Sequence, residues 1–295
     1  MEKINVIWIA SYPKSGNTWM NSIIRQASID RGFVQGEMDV HVILRESKTP
    51  NVFHLVKPSY AKHPCSVLKT HSLYKQGDNL HKFTGFQLIN TGFIHIFRNP
   101  LDVLLSYINY TRLQYRNLVR RSSSDQRVTN YRKLLFIDTL GFDKAYDVNE
   151  WEKMSLETIP QKNLDYSLDS FSNNGLSIPA FKSSSGTWIE HITSWKKAKA
   201  DISGFSVRYE DCLNNPNEFF HLLEFFDFSQ TNISDALNRV NIRAREESSS
   251  NSIFYNKMQA YYFFDYFSRS AITRFFNKHE NTLKNFDYEC LLEKI

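Results

Sequence analysis

Cysteine is scarce in this chain: Cys65, Cys212 and Cys290 are the whole supply among 295 residues. Three widely spaced thiols, an odd number, argue against a disulfide framework and against zinc-site spacing, and they suit a reducing compartment. No run approaches the roughly 20 apolar residues that cross a bilayer. The apolar stretch near the start is too short for a secretory leader and reads better as a strand, so a cytoplasmic location is expected. Dense Lys/Arg runs and recognised nucleic-acid motifs are also lacking. The formal charge of +5 therefore points to a small anionic ligand and not to nucleic acid. No cluster of His, Cys, Asp and Glu has metal-ligand spacing, so no metal is expected. What the chain does have is apolar and aromatic content, 41% and 15%, enough for a core. Its length allows one large α/β domain or two small ones.

The most informative stretch is Ile4 to Met20. Ile4–Ala10 is an apolar, β-branched run of strand length. A turn-forming set follows, Ser11-Tyr12-Pro13-Lys14-Ser15-Gly16-Asn17-Thr18, and Trp19, Ile23, Ile24 and Ala27 then recur at helical spacing. A strand thus runs into a short polar loop that opens a helix. Amides at a helix N-terminus, with its dipole, attract an anion. Gly16 lets backbone approach a ligand closely, Lys14 adds a point charge, and Ser15 and Thr18 add hydroxyls. The order is not that of a nucleoside-triphosphatase loop, in which Lys follows Gly directly and is itself followed by the magnesium-binding Ser or Thr.

Two more strand ends carry polar groups. Cys65–Leu68 is a short apolar run closing on Lys69-Thr70-His71, and ligands in open α/β sheets sit at the C-terminal ends of strands. Thr91–Phe97 is a second such run, ending in Arg98 and turning at Asn99-Pro100. A helix follows, with Leu101, Leu104, Leu105 and Ile108 on one face. A guanidinium at a strand end suits phosphate, although Arg98 is also placed to pair with Asp102.

Tyr12-Pro13-Lys14-Ser15-Gly16-Asn17-Thr18-Trp19 resembles the 5′-phosphosulfate loop of the cytosolic-type sulfotransferases, Tyr-Pro-Lys-Ser-Gly-Thr-Thr-Trp, departing from it at Asn17. Lys69-Thr70-His71 and Arg98-Asn99-Pro100-x-Asp102-Val103-x-x-Ser106-Tyr107 resemble two further motifs of that family, in its order. The resemblance implies a three-layer α/β sandwich with a central parallel sheet, like that of P-loop nucleotide kinases. It also implies transfer of a sulfonate from 3′-phosphoadenylyl sulfate (PAPS) to a hydroxyl or amine, without metal. It makes His71 the general base and Lys69 a charge stabiliser alongside Lys14. It gives cofactor contacts to Lys14, Ser15, Gly16, Asn17, Thr18 and Trp19, with Arg98 and Ser106 on the 3′-phosphate. A non-catalytic protein that binds PAPS or its product is the alternative; a kinase would need a Walker lysine and a magnesium-binding acid.

Gly186-Thr187-Trp188-Ile189-Glu190-His191-Ile192-Thr193-Ser194-Trp195 resembles the family's Gly-Ser-Trp helix, with Trp188, Ile192 and Trp195 as core and His191 structural. Phe205–Tyr209 reads as a strand. Tyr209-Glu210-Asp211 resembles the family's Tyr-Glu-Asp motif, which places Tyr209 near adenine, and the two acids suit a helix start. Glu218–Phe226 is an amphipathic helix. Arg269–Phe276 aligns with a glycine-bearing 3′-phosphate motif. Arg269 keeps the phosphate contact there, Arg274 stands by to compensate and Phe276 replaces a Trp, but both glycines are gone.

Two intervals are less legible. Val52–Val56 reads as a short helix or a loop wall. Residues 111–185 are rich in Ser, Asn, Arg and Lys, and Ser106 to Gly186 spans 80 positions. That is longer than the family interval. The chain is therefore read as one sulfotransferase domain, 1–295, with an enlarged lid or insertion at about 111–185 and a helical piece at Tyr131–Phe136. A bulky or carrier-bound acceptor follows from that lid. A homodimer is left open.

Overall fold

The computed structural model describes residues 2–30, 55–56, 65–76, 86–121, 126–147, 149–150, 154–176, 184–249, 260–289 and 291. Val52–His54, Ser122–Ser124 and Cys290 lie outside these. The strands are β1 (Glu2–Ser11), β2 (Leu55–Val56), β3 (Cys65–Thr70), β4 (Phe86–Phe97) and β5 (Ser203–Arg208). The α-helices are α1 (Asn17–Asp30), α2 (Pro100–Arg121), α3 (Gln126–Lys133), α4 (Gln161–Asn174) and α5 (Trp188–Ala198), then α6 (Tyr209–Asn214), α7 (Phe220–Phe226), α8 (Gln230–Ser249) and α9 (Arg269–Lys284). The chain divides into two compact units, Met1–Arg98 with Glu190–Tyr255, and Asn99–Ile189 with Asn256–Ile295.

The first unit holds the sheet, in the order β2-β3-β1-β4-β5. β1, β3, β4 and β5 are parallel, and β2 adds a two-residue antiparallel edge to β3. Leu55–Val56 is therefore strand, where the sequence suggested helix or loop wall. β1 is the central strand, as its unbroken apolar run requires. Val6, Trp8 and Ala10 join a core cluster with Leu68, Phe93, Trp195 and Ala198. Ile7 and Ile9 alternate to the opposite face and are equally buried. α1 buries Trp19, Met20, Ile23, Ile24 and Ala27, the residues its spacing singled out, and packs on β1 and α8.

β4 starts five residues before the apolar run that marks it in the sequence. Its pairing slips beside Thr91: Val6 faces Asn90 and Ile7 faces Gly92. The Trp8 indole N–H donates to Asn90 Oδ1 at 2.9 Å across that bulge. At the other side of β4, Gly204 lies against Phe93, whose carbonyl oxygen would be 2.3 Å from an added Cβ.

The second unit is helical. α2 starts on Asn99, whose Oδ1 accepts the Leu101 N–H at 2.8 Å, with Pro100 at the first helical position. Asp102 is fully buried. Its carboxylate accepts the backbone N–H groups of Tyr261 (2.7 Å) and Phe263 (3.2 Å), partners that no sequence spacing announced. Much of the described part of 111–185 is helix, including α3 and a π-helical stretch, Leu134–Thr139, that buries Leu135 and Phe136. Ser167–Asn174, polar enough to read as loop, belongs to α4. There Leu164, Leu168 and Phe171 recur at helical spacing among the serines, and Phe171 stacks on Phe275 of α9 at 6.4 Å.

Candidate active site

The loop after β1 turns on Ser15 N–H to Tyr12 C=O at 3.1 Å, and Gly16 C=O accepts the Met20 N–H at 3.0 Å to start α1. The tight turn puts Lys14 at φ +72° and Gly16 at φ +105°. The latter is a conformation natural to glycine alone. A Cβ at Gly16 would also meet the Tyr209 ring at 2.7 Å. The Ser15 hydroxyl is buried and makes no hydrogen bond among the described residues, which is a donor waiting for an acceptor.

Lys14 and Arg98 are the charges of this corner. Burial, and then the nearby Arg98 guanidinium, bring the Lys14 ammonium from its usual 10.5 down to about 8. Arg98, at the end of β4, is buried and stacks on Tyr209, its guanidinium carbon 4.4 Å from the ring centroid. Two like charges held close in this corner repel, and anions bound against them relieve the repulsion. Lys14, Arg98, the Ser15 hydroxyl and the start of α1 thus make a site shaped for a phosphate- or sulfate-like group.

Trp19, Thr18 and Tyr209 frame the loop. The Trp19 indole N–H donates to Asn241 of α8 at 3.0 Å, and its ring meets Tyr209 and Phe219 edge-on. Thr18 is half-buried at the helix start, with its carbonyl taking the Ser22 hydroxyl. Tyr209 supports Arg98 and Gly16 with its ring face, a use the sequence did not suggest. The two acids after it stand at the start of α6, as the sequence suggested. They fall in its first turn, and Asp211 holds the Arg208 guanidinium in a forked pair at 2.7 and 2.8 Å. Asn17 is buried, and its amide nitrogen donates to the carbonyls of Ile9 (2.9 Å) and Thr70 (3.3 Å).

His71 lies just past β3, half-buried. Its Nδ1 is 2.8 Å from the Ser11 carbonyl oxygen, with the Ser11 hydroxyl at 3.3 Å. A carbonyl only accepts, so Nδ1 carries the proton and the neutral ring keeps a lone pair on Nε2. The loop that follows is fastened to α5: Ser72 C=O accepts the Trp195 indole N–H at 3.0 Å, and Ser194 Oγ accepts the Tyr74 N–H at 3.0 Å. Lys69 stands half-buried on β3 opposite Ile9. Ser11 was missed by the sequence reading. The parallel pairing that ends at Ala10 and Thr70 brings it beside His71, and no motif announces that register.

Two further histidines are buried here. His191 is wholly buried as expected of a structural residue. It is held well below the usual imidazole range by burial, then by His95 and His71. His95, on β4, is pushed down to about 3 by burial and then by Lys199. Both rings are neutral, packed with Tyr12 and Trp195.

In the second unit, Ser106 is half-buried on α2, and Arg269 is exposed in the first turn of α9. The 269–276 segment is regular helix, capped by Ser268 Oγ, with Phe276 fully buried. Arg274 is engaged on the surface by Asp169 at 2.9 Å, so its availability as a substitute phosphate ligand is reduced.

The described residues contain no metal-ligand group of three and no helix long and apolar enough to cross a membrane. No curated protein matches the sequence. Among solved structures, mouse sulfotransferase SULT7A1 complexed with PAP is similar at 15% identity, over 99% of this chain and 90% of that one, with a TM-score of 0.58. Retinol dehydratase in complex with androsterone and the inactive cofactor PAP is similar at 14% identity, over 95% and 80%, with a TM-score of 0.48. The first of these is a likeness of fold, α/β with a central, mainly parallel sheet flanked by helices. The family model described as "Sulfotransferase domain" matches residues 5–282, and the chain belongs to that family.

Proposed function

We propose that the protein transfers the sulfonate of PAPS to a hydroxyl or amine of a small-molecule or carrier-bound acceptor. The observation that carries this reading is the like-charged, desolvated pair Lys14 and Arg98 at a loop whose Ser15 hydroxyl has no partner among the described residues. The loop amides from Ser15 to Trp19 would hold the 5′-phosphosulfate, and Lys14 and Lys69 would steady charge developing on the phosphate as it leaves. Arg98 is assigned to the 3′-phosphate. Ser106 and Arg269 keep, as part of the proposal, the 3′-phosphate role that the family resemblance gives them, and Tyr209 keeps its place near adenine.

His71 Nε2 is the proposed base. It takes the proton of the acceptor hydroxyl while that oxygen bonds to sulfur and the bond from sulfur to the phosphate oxygen breaks. Positioning in line, more than covalent chemistry, supplies the rate. The long interval 111–185 is proposed to cover a bulky or extended acceptor. The buried thiols of Cys65 and Cys212 suit a reducing, cytoplasmic setting, as a single domain or a homodimer.

The test is calorimetry with 3′,5′-adenosine bisphosphate (PAP) against AMP, followed by an acceptor screen with labelled PAPS. PAP should bind much more tightly, because AMP lacks the 3′-phosphate; each charge-assisted contact contributes about 1.5–3 kcal/mol. Equal affinity for the two would sink the assignment. PAP binding without any labelled product would favour a non-catalytic binding protein.

A further inference from the structure

We infer that Asn17 is a positioning residue: its side chain ties the anion loop to the two strand ends that hold His71, and so fixes which ring nitrogen is the base. The inference rests on the sulfonate-transfer reading for the role of His71, but not for the geometry.

The amide nitrogen of Asn17 has two protons, and both are directed at carbonyl oxygens, Ile9 on β1 and Thr70 on β3. Neither carbonyl can donate, so the orientation of the amide follows from its partners. Thr70 is the residue before His71. Ile9 lies two residues before Ser11, whose carbonyl accepts the His71 Nδ1 proton. The β1–β3 pairing ends at Ala10 and Thr70, one step short of Ser11 and His71. The strand ladder thus stops just before the contact that sets the tautomer, and the Asn17 side chain bridges the two chains at that point. The side chain is buried, and its Oδ1 makes no hydrogen bond among the described residues. The amide therefore serves as a double donor.

A threonine, which the resembled loop carries at this place, has a single hydroxyl proton. It can tie one strand end but not both. With one tie lost, Ser11 and His71 are free to drift, the Nδ1–H bond weakens, and the ring populates the Nε2–H form, which is no base toward the acceptor. Main-chain contacts to the nucleotide are unaffected, because Thr keeps the backbone N–H.

Nitrogen-15 NMR of the full chain tests this, with the His71 signals identified by their loss in His71→Ala. Wild-type protein near pH 8 should show His71 as the Nδ1–H tautomer. Asn17→Thr should show mixed tautomers, kcat down about tenfold, and PAP affinity within about threefold of wild type. If Asn17→Thr does not fold, Asn17→Ser carries the same single donor with less bulk, and the same readouts decide. A wild-type Nε2–H tautomer, or an unchanged tautomer in the variant, overturns the inference. The tautomer readout needs no turnover. Failure of the sulfonate-transfer reading would register separately, as no PAP binding and no product in wild type.

Discussion

Raising the pH from 7 to 9.5 should strip the Lys14 proton while ordinary lysines keep theirs. With its ammonium brought down to about 8 by burial and Arg98, Lys14 is about nine-tenths charged at pH 7 and about 3% charged at pH 9.5. The 5′-phosphate of bound PAP against Lys14 would bring its ammonium back toward the ordinary 10.5. Binding at high pH must therefore take up a proton. The folded, empty site holds fewer protons than the complex between pH 8 and 10.5, so affinity falls as pH rises through that window. The ratio of protonated fractions gives a rise in the PAP Kd of about 30-fold from pH 7 to 9.5, close to 2 kcal/mol. Calorimetry in buffers of different ionisation enthalpy should find about 0.9 proton taken up per PAP near pH 9.2. Lys14→Arg, charged throughout, should bind with little change across the same range. A wild-type Kd that is flat from pH 7 to 9.5, or a Lys14→Arg Kd that rises in parallel, would refute the reasoning.

His71→Ala should lower turnover by about 10²–10⁴-fold while PAP affinity stays close to wild type by calorimetry; a variant keeping most of its rate places the base elsewhere. Acid should destabilise the fold through His95, which titrates near 3 when folded and near 6.5 when unfolded. The unfolded chain binds the proton first, so stability falls as pH drops below 6.5, by roughly 2 kcal/mol at pH 5 for this residue. Urea titrations at pH 7 and 5 should show this loss, reduced in His95→Leu, and equal slopes for the two proteins would exclude His95 as the cause. Gly204→Ala drives a Cβ into the Phe93 carbonyl oxygen on β4, and backbone cannot yield as a side-chain tip does. It should cost about 1–3 kcal/mol, read as a lower urea midpoint, and an unmoved midpoint would contradict the packing described.

The strand, loop and helix that carry Lys14 were legible because they are local. Loop, strand end and helix start lie within a few residues of one another, and the apolar spacing of Trp19, Ile23 and Ile24 marks the helix without help. The β4 strand end with Arg98 was legible for the same reason. The partners were not. Ser11 meets His71 through a strand pairing, Tyr209 meets Arg98 one step past the β4–β5 pairing, and Asp102 meets two amides 159 and 161 positions away. Register and long-range closure leave no periodic trace. α4 was hidden differently: serine and asparagine outnumber the apolar residues in it, and three large side chains at helical spacing decide the matter. Arg269–Phe276 was aligned to a glycine-bearing motif, and without glycine and with Ser268 as a cap it is regular helix.

Asp102 has a consequence for how the protein is made. A ribosome adds about 5–20 residues per second, so the 159 positions between Asp102 and Tyr261 take on the order of 8–30 s to synthesise. For all that time the start of α2 exists with its acid lacking the amides that will surround it. Both compact units are discontinuous in the chain, so neither is complete until late in translation, and the second waits for the last segment. A nascent chain stalled before residue 261 would expose the Asp102 carboxylate and the apolar face of α2 together. Quality-control factors that read exposed apolar surface should therefore hold this protein until the 256–295 segment has been made.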